Sequence, residues 1–476
     1  MADNFISRQI LQFLPYNPTA EQHNAICIFT DFLHANNDRS LLLFNGYAGT
    51  GKTSLLGAAV KALTCMRQKT VLMAPTGRAA KIFSGYAAQN AFTIHKTIYR
   101  RKTFSHEPHG FSLAPNLHKD TIFIVDEASM ISNHSGEMPH AFGSGRLLDD
   151  LIQYVYGGER CRLVLIGDVA QLPPVMQTES PALNADRLSG YLLQVREINL
   201  TQVVRQNEDS GILYNATLIR ECLRKRQIED YPKLLLHRFA DVKKIGRDEL
   251  LDAISSAYDC DGIDDTMVIC RSNKRTLAYN NGIRNRILYR EEEISAGDRL
   301  MVVKNNYSPT MPHPDMDFIA NGEIVEVIRV RRTTEMYGFR FCDLLARFQD
   351  YGSEMEIRIL TDVLQSELPS LPKAMNDKLF FSVWEDFPDK ETKAEKIKRI
   401  KADPYYNAVQ VKYAYAVTCH KAQGGQWKNV FLDVGFITKD MLGEDFYRWL
   451  YTAFTRATER LFLVNLPDGF EAPCYI

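Results

Sequence analysis

The stretch "GYAGTGKTS" (46–54) constrains this chain more than any other. The apolar run "LLLF" precedes it and a helical pattern beginning "LLGAAVKAL" follows. Strand, glycine-rich turn and helix in that order make a phosphate cradle. The glycines let the backbone turn tightly, successive N–H groups face an anion, and the helix N-terminus adds its dipole. Gly46, Gly51, Lys52 and Thr53 satisfy G-x-x-x-x-G-K-[ST]. In this pattern Lys52 reaches the β/γ oxygens of a nucleoside triphosphate, and the Thr53 hydroxyl reaches Mg²⁺.

The rest of the chain repeats that grammar. "SLLLFNG", "TVLMAP", "TIFIVDE" and "CRLVLIGD" read as buried parallel strands alternating with helices. "TMVICR", "KNVFLDV" and "ERLFLVN" do the same later, so the spacing predicts an α/β protein with two cores. Between them, "DRLMVVKNN", "GEIVEVIRV", "GFRFCDLLARF" and "EMEIRIL" are strand-like runs separated by polar turns. The expected division is a first core over 1–190, a second over 191–297 plus 406–476, and an all-β insertion over 298–405. That insertion ends in a charged stretch, "PDKETKAEKIKRIKADP", expected as a solvated helix.

A length of 476 residues accommodates this plan, about three domains. The formal net charge of −1 excludes a global basic field, so a nucleic-acid surface must be a local groove. Nine scattered cysteines without a C-x-x-C pair fit reduced thiols. The opening "MADNFISRQILQF" lacks the basic and apolar regions of a signal peptide, and no apolar run reaches membrane-spanning length. A cytoplasmic protein is expected.

The other chemical residues sit where these strands end. Asp126 closes the strand of "IFIVDEAS", where a carboxylate can hold the Mg²⁺ shell, and Glu127 beside it can orient or deprotonate an attacking water. That second acid favours hydrolysis over transfer to another substrate. In "LVLIGDVAQLPPV", Gln171 can donate to a γ-phosphate and accept from the water. "LTQVVRQ" carries Arg205 and "YTAFTRA" carries Arg456. Arginines stabilise charge on a transferring phosphoryl group. If both come from the second core, the nucleotide lies between cores.

Taken in order, the P-loop, "APTGRAAK", "TIH", "DEAS", "GDVAQLPPV", "LTQVVRQ", "YAVTCHKAQG" and "YTAFTRA" resemble the superfamily 1B helicases of the RecD/Pif1/Dda branch, in layout a stand-alone Dda-like motor. The resemblance implies two RecA-like cores, a small hairpin insertion in the first and an SH3-like insertion in the second. It implies ATP-driven 5′→3′ movement on single-stranded DNA with duplex unwinding. The nucleotide set would be Gln22, reading adenine, with Gly46, Gly49, Gly51, Lys52, Thr53, Ser54 and Gly424. Lys52, Asp126, Glu127, Gln171, Arg205 and Arg456 would be catalytic, with Thr53 and Asp126 holding Mg²⁺. Pro75, Thr76, Arg78, Thr93 and His95 would contact DNA from the first core, and Thr418, His420, Lys421 and Gln423 from the second. The basic, aromatic segment 98–120 resembles the wedge hairpin of the branch, with Phe104, His106 or Phe111 at its tip. One departure is Gln426, where the branch usually carries Glu. Three further readings stay open: a RecD-like subunit working with a partner nuclease, an RNA-directed motor, and a nucleotide-gated DNA clamp. A monomer is expected, acting on nucleoid DNA, with a nuclease or replication and recombination proteins as further partners.

Overall fold

The structure is a computed structural model that describes residues 2–473 apart from 36, 102–110, 135–141, 205–209, 307–318, 350–351 and 389–391. In chain order the first core supplies β1 (Ser40–Gly46), β2 (Lys69–Ala74), β3 (Ala91–Thr93), the hairpin strands β4 (Tyr99–Arg101) and β5 (Phe111–Leu113), then β6 (Thr121–Val125), β7 (Arg162–Gly167) and β8 (Gln194–Leu200). Six of these form one sheet in the order β3-β2-β6-β7-β1-β8, all parallel. β1 is buried along its whole length because helices cover both faces. Its side chains alternate: Leu42 and Phe44 pack with Phe29 and Leu56 on one face, Leu41 and Leu43 with Leu148 and Leu151 on the other. β8 carries the first core to Leu200, past the expected boundary at 190, because β8 pairs directly with β1.

The second core begins with β9 (Val242–Ile245) and β10 (Thr266–Cys270). The chain then leaves it to form β11 (Arg299–Val302), β12 (Ile324–Met336), β13 (Phe339–Phe348), β14 (Ser353–Leu360) and β15 (Val409–Tyr413), which close into a barrel. It returns as β16 (Ala416–Thr418), β17 (Trp427–Asp433) and β18 (Ala457–Val464), giving a parallel sheet in the order β16-β10-β17-β18-β9. The barrel thus runs past 405, since β15 is needed to pair with β11 and β14. The charged stretch is a helix, Lys393–Ala402, opened by a Thr392–Glu395 capping box. It is not wholly solvated: Ile400 is buried with Leu379, Val383 and Phe341 at one end of the barrel.

The hairpin β4–β5 stands beside the first sheet. Phe104 and His106 lie outside the described residues. Phe111 is no wedge tip: it is buried, its ring 4.7 Å from that of Phe142. Its apolar ring gains more from that aromatic cluster than from water.

Barrel and second core are joined by a buried charge cluster. The Asp298 carboxylate, fully enclosed, accepts from Arg284 at 3.0 Å, Arg290 at 2.8 Å, the Tyr415 hydroxyl at 2.9 Å and the Ser295 amide at 2.8 Å. Burial pushes its pKa up, but the Arg284 and Ser295 bonds outweigh burial and hold it below the usual carboxylate range. Replacing Asp298 by Ala would strand Arg284, which is itself buried, without its counter-charge. The expected loss is about 3–5 kcal/mol of stability, read as a lowered denaturant midpoint. An unchanged midpoint would show that the cluster does not hold the two parts together.

Candidate active site

A parallel sheet points all its C-terminal strand ends at one edge. The P-loop after β1, Pro75 after β2, His95 after β3, Asp126 after β6 and Asp168 after β7 therefore share the same rim of the first core. Gly49 and Gly51 have φ of 76° and 82°, a region that favours glycine. At Gly51 a Cβ would also come within 2.5 Å of Gln22 Nε2 and the Tyr16 hydroxyl. Gln22 is buried, donating to Thr50 O at 3.0 Å and accepting from Thr19 N at 3.1 Å. It braces the P-loop as well as standing at the expected adenine position, and any adenine contact must use the remaining lone pair of Oε1 or exchange a partner.

Lys52 folds back over the loop, donating to Gly46 O and to Tyr47 O at 2.9 Å, with Asp168 at 3.9 Å. Thr53 and Ser54 occupy the first turn of the helix Lys52–Cys65. Asp126 accepts from the Tyr86 hydroxyl and from the Glu127 amide at 2.9 Å. Glu127 sits in a left-handed turn at φ 52°. Burial raises the pKa of both carboxyls, and the positive charge of Arg456 opposes that rise most strongly at Glu127. Arg456 is 2% exposed and donates to Thr452 O at 3.1 Å and Gly425 O at 3.2 Å. Arg205 lies outside the described residues.

Three side-chain acceptors near this rim are buried without partners: Gln171 Oε1, Asn45 Oδ1 and Ser129 Oγ. Buried polar atoms are nearly always satisfied. Unpaired oxygens beside a glycine cradle and a lysine resting on its carbonyls fit a nucleoside triphosphate, its ion and an attacking water. Thr53 and Asp126 are the residues that would hold a phosphate-bound Mg²⁺, which needs only one or two protein ligands.

The second core closes the cleft with one face of the helix Glu444–Phe454. Tyr451 donates its hydroxyl proton to Asp168 Oδ2 at 2.7 Å, and the Tyr451 hydroxyl oxygen accepts from the P-loop amide of Ala48 at 2.9 Å. Thr452 Oγ1 accepts from Leu172 N at 2.8 Å, and Arg448 donates to Gln171 O at 3.3 Å. Gln423 Nε2 donates to Leu172 O at 2.7 Å. Sequence reading did not single out Arg448, Tyr451 or Thr452. The available signal was polar groups at i, i+3 and i+4, continued by Arg456, on a helix otherwise built for the core.

The residues expected to contact DNA split into two groups. Thr76 caps the helix Gly77–Ala87, and Thr93 caps Ile94–Ile98. Arg78 stacks 4.1 Å above the Trp427 ring and donates to Gln426 O at 3.1 Å. A Cβ on Gly424, whose φ is 72°, would stand 3.1 Å from Ala79 Cβ and from Thr76 Oγ1. The two expected DNA segments therefore touch across the cleft. Gln426 presents its side chain to solvent and engages Arg78 through its backbone. His420 is exposed on the second-core side, next to Lys421, whose ammonium burial lowers to a pKa of about 8. His95 differs from expectation. Its ring packs 4.7 Å from Phe142 and 5.7 Å from Tyr99, and burial lowers its pKa to about 4. It is a neutral ring in an aromatic cluster and offers a strand no cation near neutral pH.

An AAA domain family matches residues 19–233, and a UvrD-like helicase C-terminal domain matches residues 413–464. An uncharacterized protein of Acanthamoeba polyphaga mimivirus is 22% identical, the match covering 90% of this chain and 96% of that one. The ATP-dependent DNA helicase dda of Enterobacteria phage T4 is 23% identical, covering 76% of this chain and 84% of its own. Among solved structures, the Pif1 helicase from Bacteroides in complex with ADP-AlF3 and ssDNA aligns with a TM-score of 0.47 at 15% identity, over 97% of this chain and 95% of that one.

Tyr451→Phe removes both hydroxyl bonds while keeping the ring. The expected cost is about 1.5–3 kcal/mol, the range for a hydrogen bond to a charged group, seen as a lower denaturant midpoint of the nucleotide-free protein. A midpoint equal to wild type would show that the hydroxyl does not tie the cores.

Proposed function

The chain belongs to the superfamily 1B helicases, in the Pif1/RecD/Dda-like branch, and we propose that this ATP-dependent DNA helicase moves 5′→3′ along single-stranded DNA and opens the duplex ahead of it. The observation that carries the mechanism is the shared cleft. The P-loop, the 168–172 loop and Glu127 come from one core, while Tyr451, Thr452 and Arg456 come from the other. Bound Mg²⁺ supplies charge neutralisation at the β and γ oxygens. Lys52 and the amides of the glycine turn hold those phosphates. Glu127, poised by burial, takes a proton from or orients the attacking water, and the unpaired Gln171 oxygen accepts from the same water. Arg456 reaches the cleft from the second core with donors beyond those now spent on carbonyls.

Movement follows from where the cleft's outer lip lies. The segments 76–79 and 423–426 touch in the closed arrangement. Opening the cleft after hydrolysis separates Thr76, Arg78 and Thr93 from Thr418, His420, Lys421 and Gln423, and reclosing brings them together one step further along the strand. Pro75 stiffens the first of these segments. A cleft completed by one chain supports a monomeric motor. DNA repair, recombination or replication on nucleoid DNA is the setting we propose for it.

The test is ATP-dependent unwinding of two matched duplexes, one with a 5′ tail and one with a 3′ tail, with Lys52→Ala as the inactive control that still binds single strands. Opening of the 5′-tailed duplex alone is expected. Opening from the 3′ tail would overturn the polarity. DNA-stimulated hydrolysis without unwinding would favour a clamp, or a subunit that needs a partner nuclease. Stronger stimulation by RNA than by DNA of the same sequence would favour an RNA motor. Arg456→Ala is expected to bind ATP nearly as wild type while turnover falls on the order of 10³-fold or more. Lost affinity with normal turnover would remove the finger role.

A further inference from the structure

Away from the cleft, a groove of about 620 Å³ lies on the second core between the helices Leu250–Asp261 and Asn273–Arg286. Its floor is aliphatic, built from Leu250, Leu251, Ile254, Ala278 and Ile283. Its rim is cationic, with Arg247, Lys274, Arg275 and Arg286, and among the described residues no carboxylate lines it. Arg275 is neutralised by the buried Asp433, and Arg247 donates to Asn465 at 2.9 Å. Lys274 and Arg286 stand exposed and meet no carboxylate among the described residues. On a chain of net charge −1, this concentration of positive charge around an apolar floor is local.

Gly282 adds an independent observation. It lies inside the helix Asn273–Arg286 and lines the groove, yet a Cβ there would meet nothing within 4 Å. A glycine inside a helix is destabilising relative to alanine, and here no internal packing calls for it. What the missing side chain provides is depth in the groove wall.

We propose that this groove docks an acidic peptide segment of a partner protein. A large apolar side chain of the peptide sits over Gly282 on the aliphatic floor, and its carboxylates meet Lys274, Arg286 and Arg247. Burying that apolar side chain supplies affinity, and the charged rim raises the encounter rate and fixes orientation. A nucleic-acid strand suits the groove less well. Strand tracks combine phosphate contacts with free aromatic faces, whereas this floor is aliphatic and its single ring, Tyr279, is bonded to Asp433 and Arg275.

The experiment uses the full chain and four fluorescein-labelled dodecapeptides of Asp and Ser, each with two Phe spaced one to four residues apart. Binding is read by anisotropy with and without a saturating single-stranded oligonucleotide. At least one peptide is expected to bind saturably, and its Asp→Asn and Phe→Ser versions at least tenfold more weakly. Gly282→Leu, which adds an aliphatic side chain to the groove wall where a Cβ meets no atom within 4 Å, and the pair Lys274→Glu with Arg286→Glu should each weaken binding at least tenfold. Both variants should keep wild-type DNA-stimulated ATP hydrolysis, which shows that they are folded. Absence of saturable binding by all four peptides would overturn the proposal, as would equal binding to wild type and Gly282→Leu. Displacement of the peptide by the oligonucleotide, together with loss of DNA affinity in Gly282→Leu, would assign the groove to the DNA track instead.

Discussion

The cleft depends on one oxygen. The Tyr451 hydroxyl accepts from the backbone of the phosphate loop and donates to Asp168, the same carboxylate that faces Lys52. A residue of the second core is thereby written into the first core's polar network. In a buried setting such bonds are strong and their loss is costly. Rearrangement at the phosphates cannot leave the Glu444–Phe454 helix indifferent, and that helix runs straight into Arg456. The phosphate site and the second core are linked through a few hydrogen bonds of specified partners.

Sheet direction supplies the second constraint. The main sheet of each core is parallel, so each gathers its strand ends on one edge. Residues far apart in sequence, such as Lys52, Asp126 and Gln171, share a rim because each follows a strand pointing the same way. That is why so much of the site was legible. Glycine-rich turn, strand-ending acids and the Gln171 loop are local patterns whose geometry is fixed by the strand that precedes them.

What sequence left unread has a common cause: it depends on packing between distant segments. Tyr451 looks like another core aromatic until the P-loop is placed against it. His95 and Phe111 carry functional side-chain types but face inward, because Tyr99 and Phe142 complete an aromatic cluster around them. Gln22 serves the P-loop's shape through Thr50. The domain boundaries at 190 and 405 fell short because β8 and β15 are claimed by partners far earlier in the chain, β1 and β11. The two-core plan itself was readable from the apolar strand runs, since burial on both faces leaves an uninterrupted signature.

The barrel's place in the chain bears on biosynthesis. β10 pairs on both sides with strands made later, β16 and β17, and the barrel separates it from them. It emerges on the order of 150 residues ahead of those neighbours, which at about 5–20 residues per second leaves it unpaired for roughly eight to thirty seconds. During that interval its "TMVIC" run and both its edges are open to any passing strand. The antiparallel ribbon of β12, β13 and β14 can form while the sheet waits, but the barrel closes only when β15 arrives to pair with β11 and β14. β15 and β16 follow one another directly, so the barrel and the second core close together at the end, around a ribbon already paired.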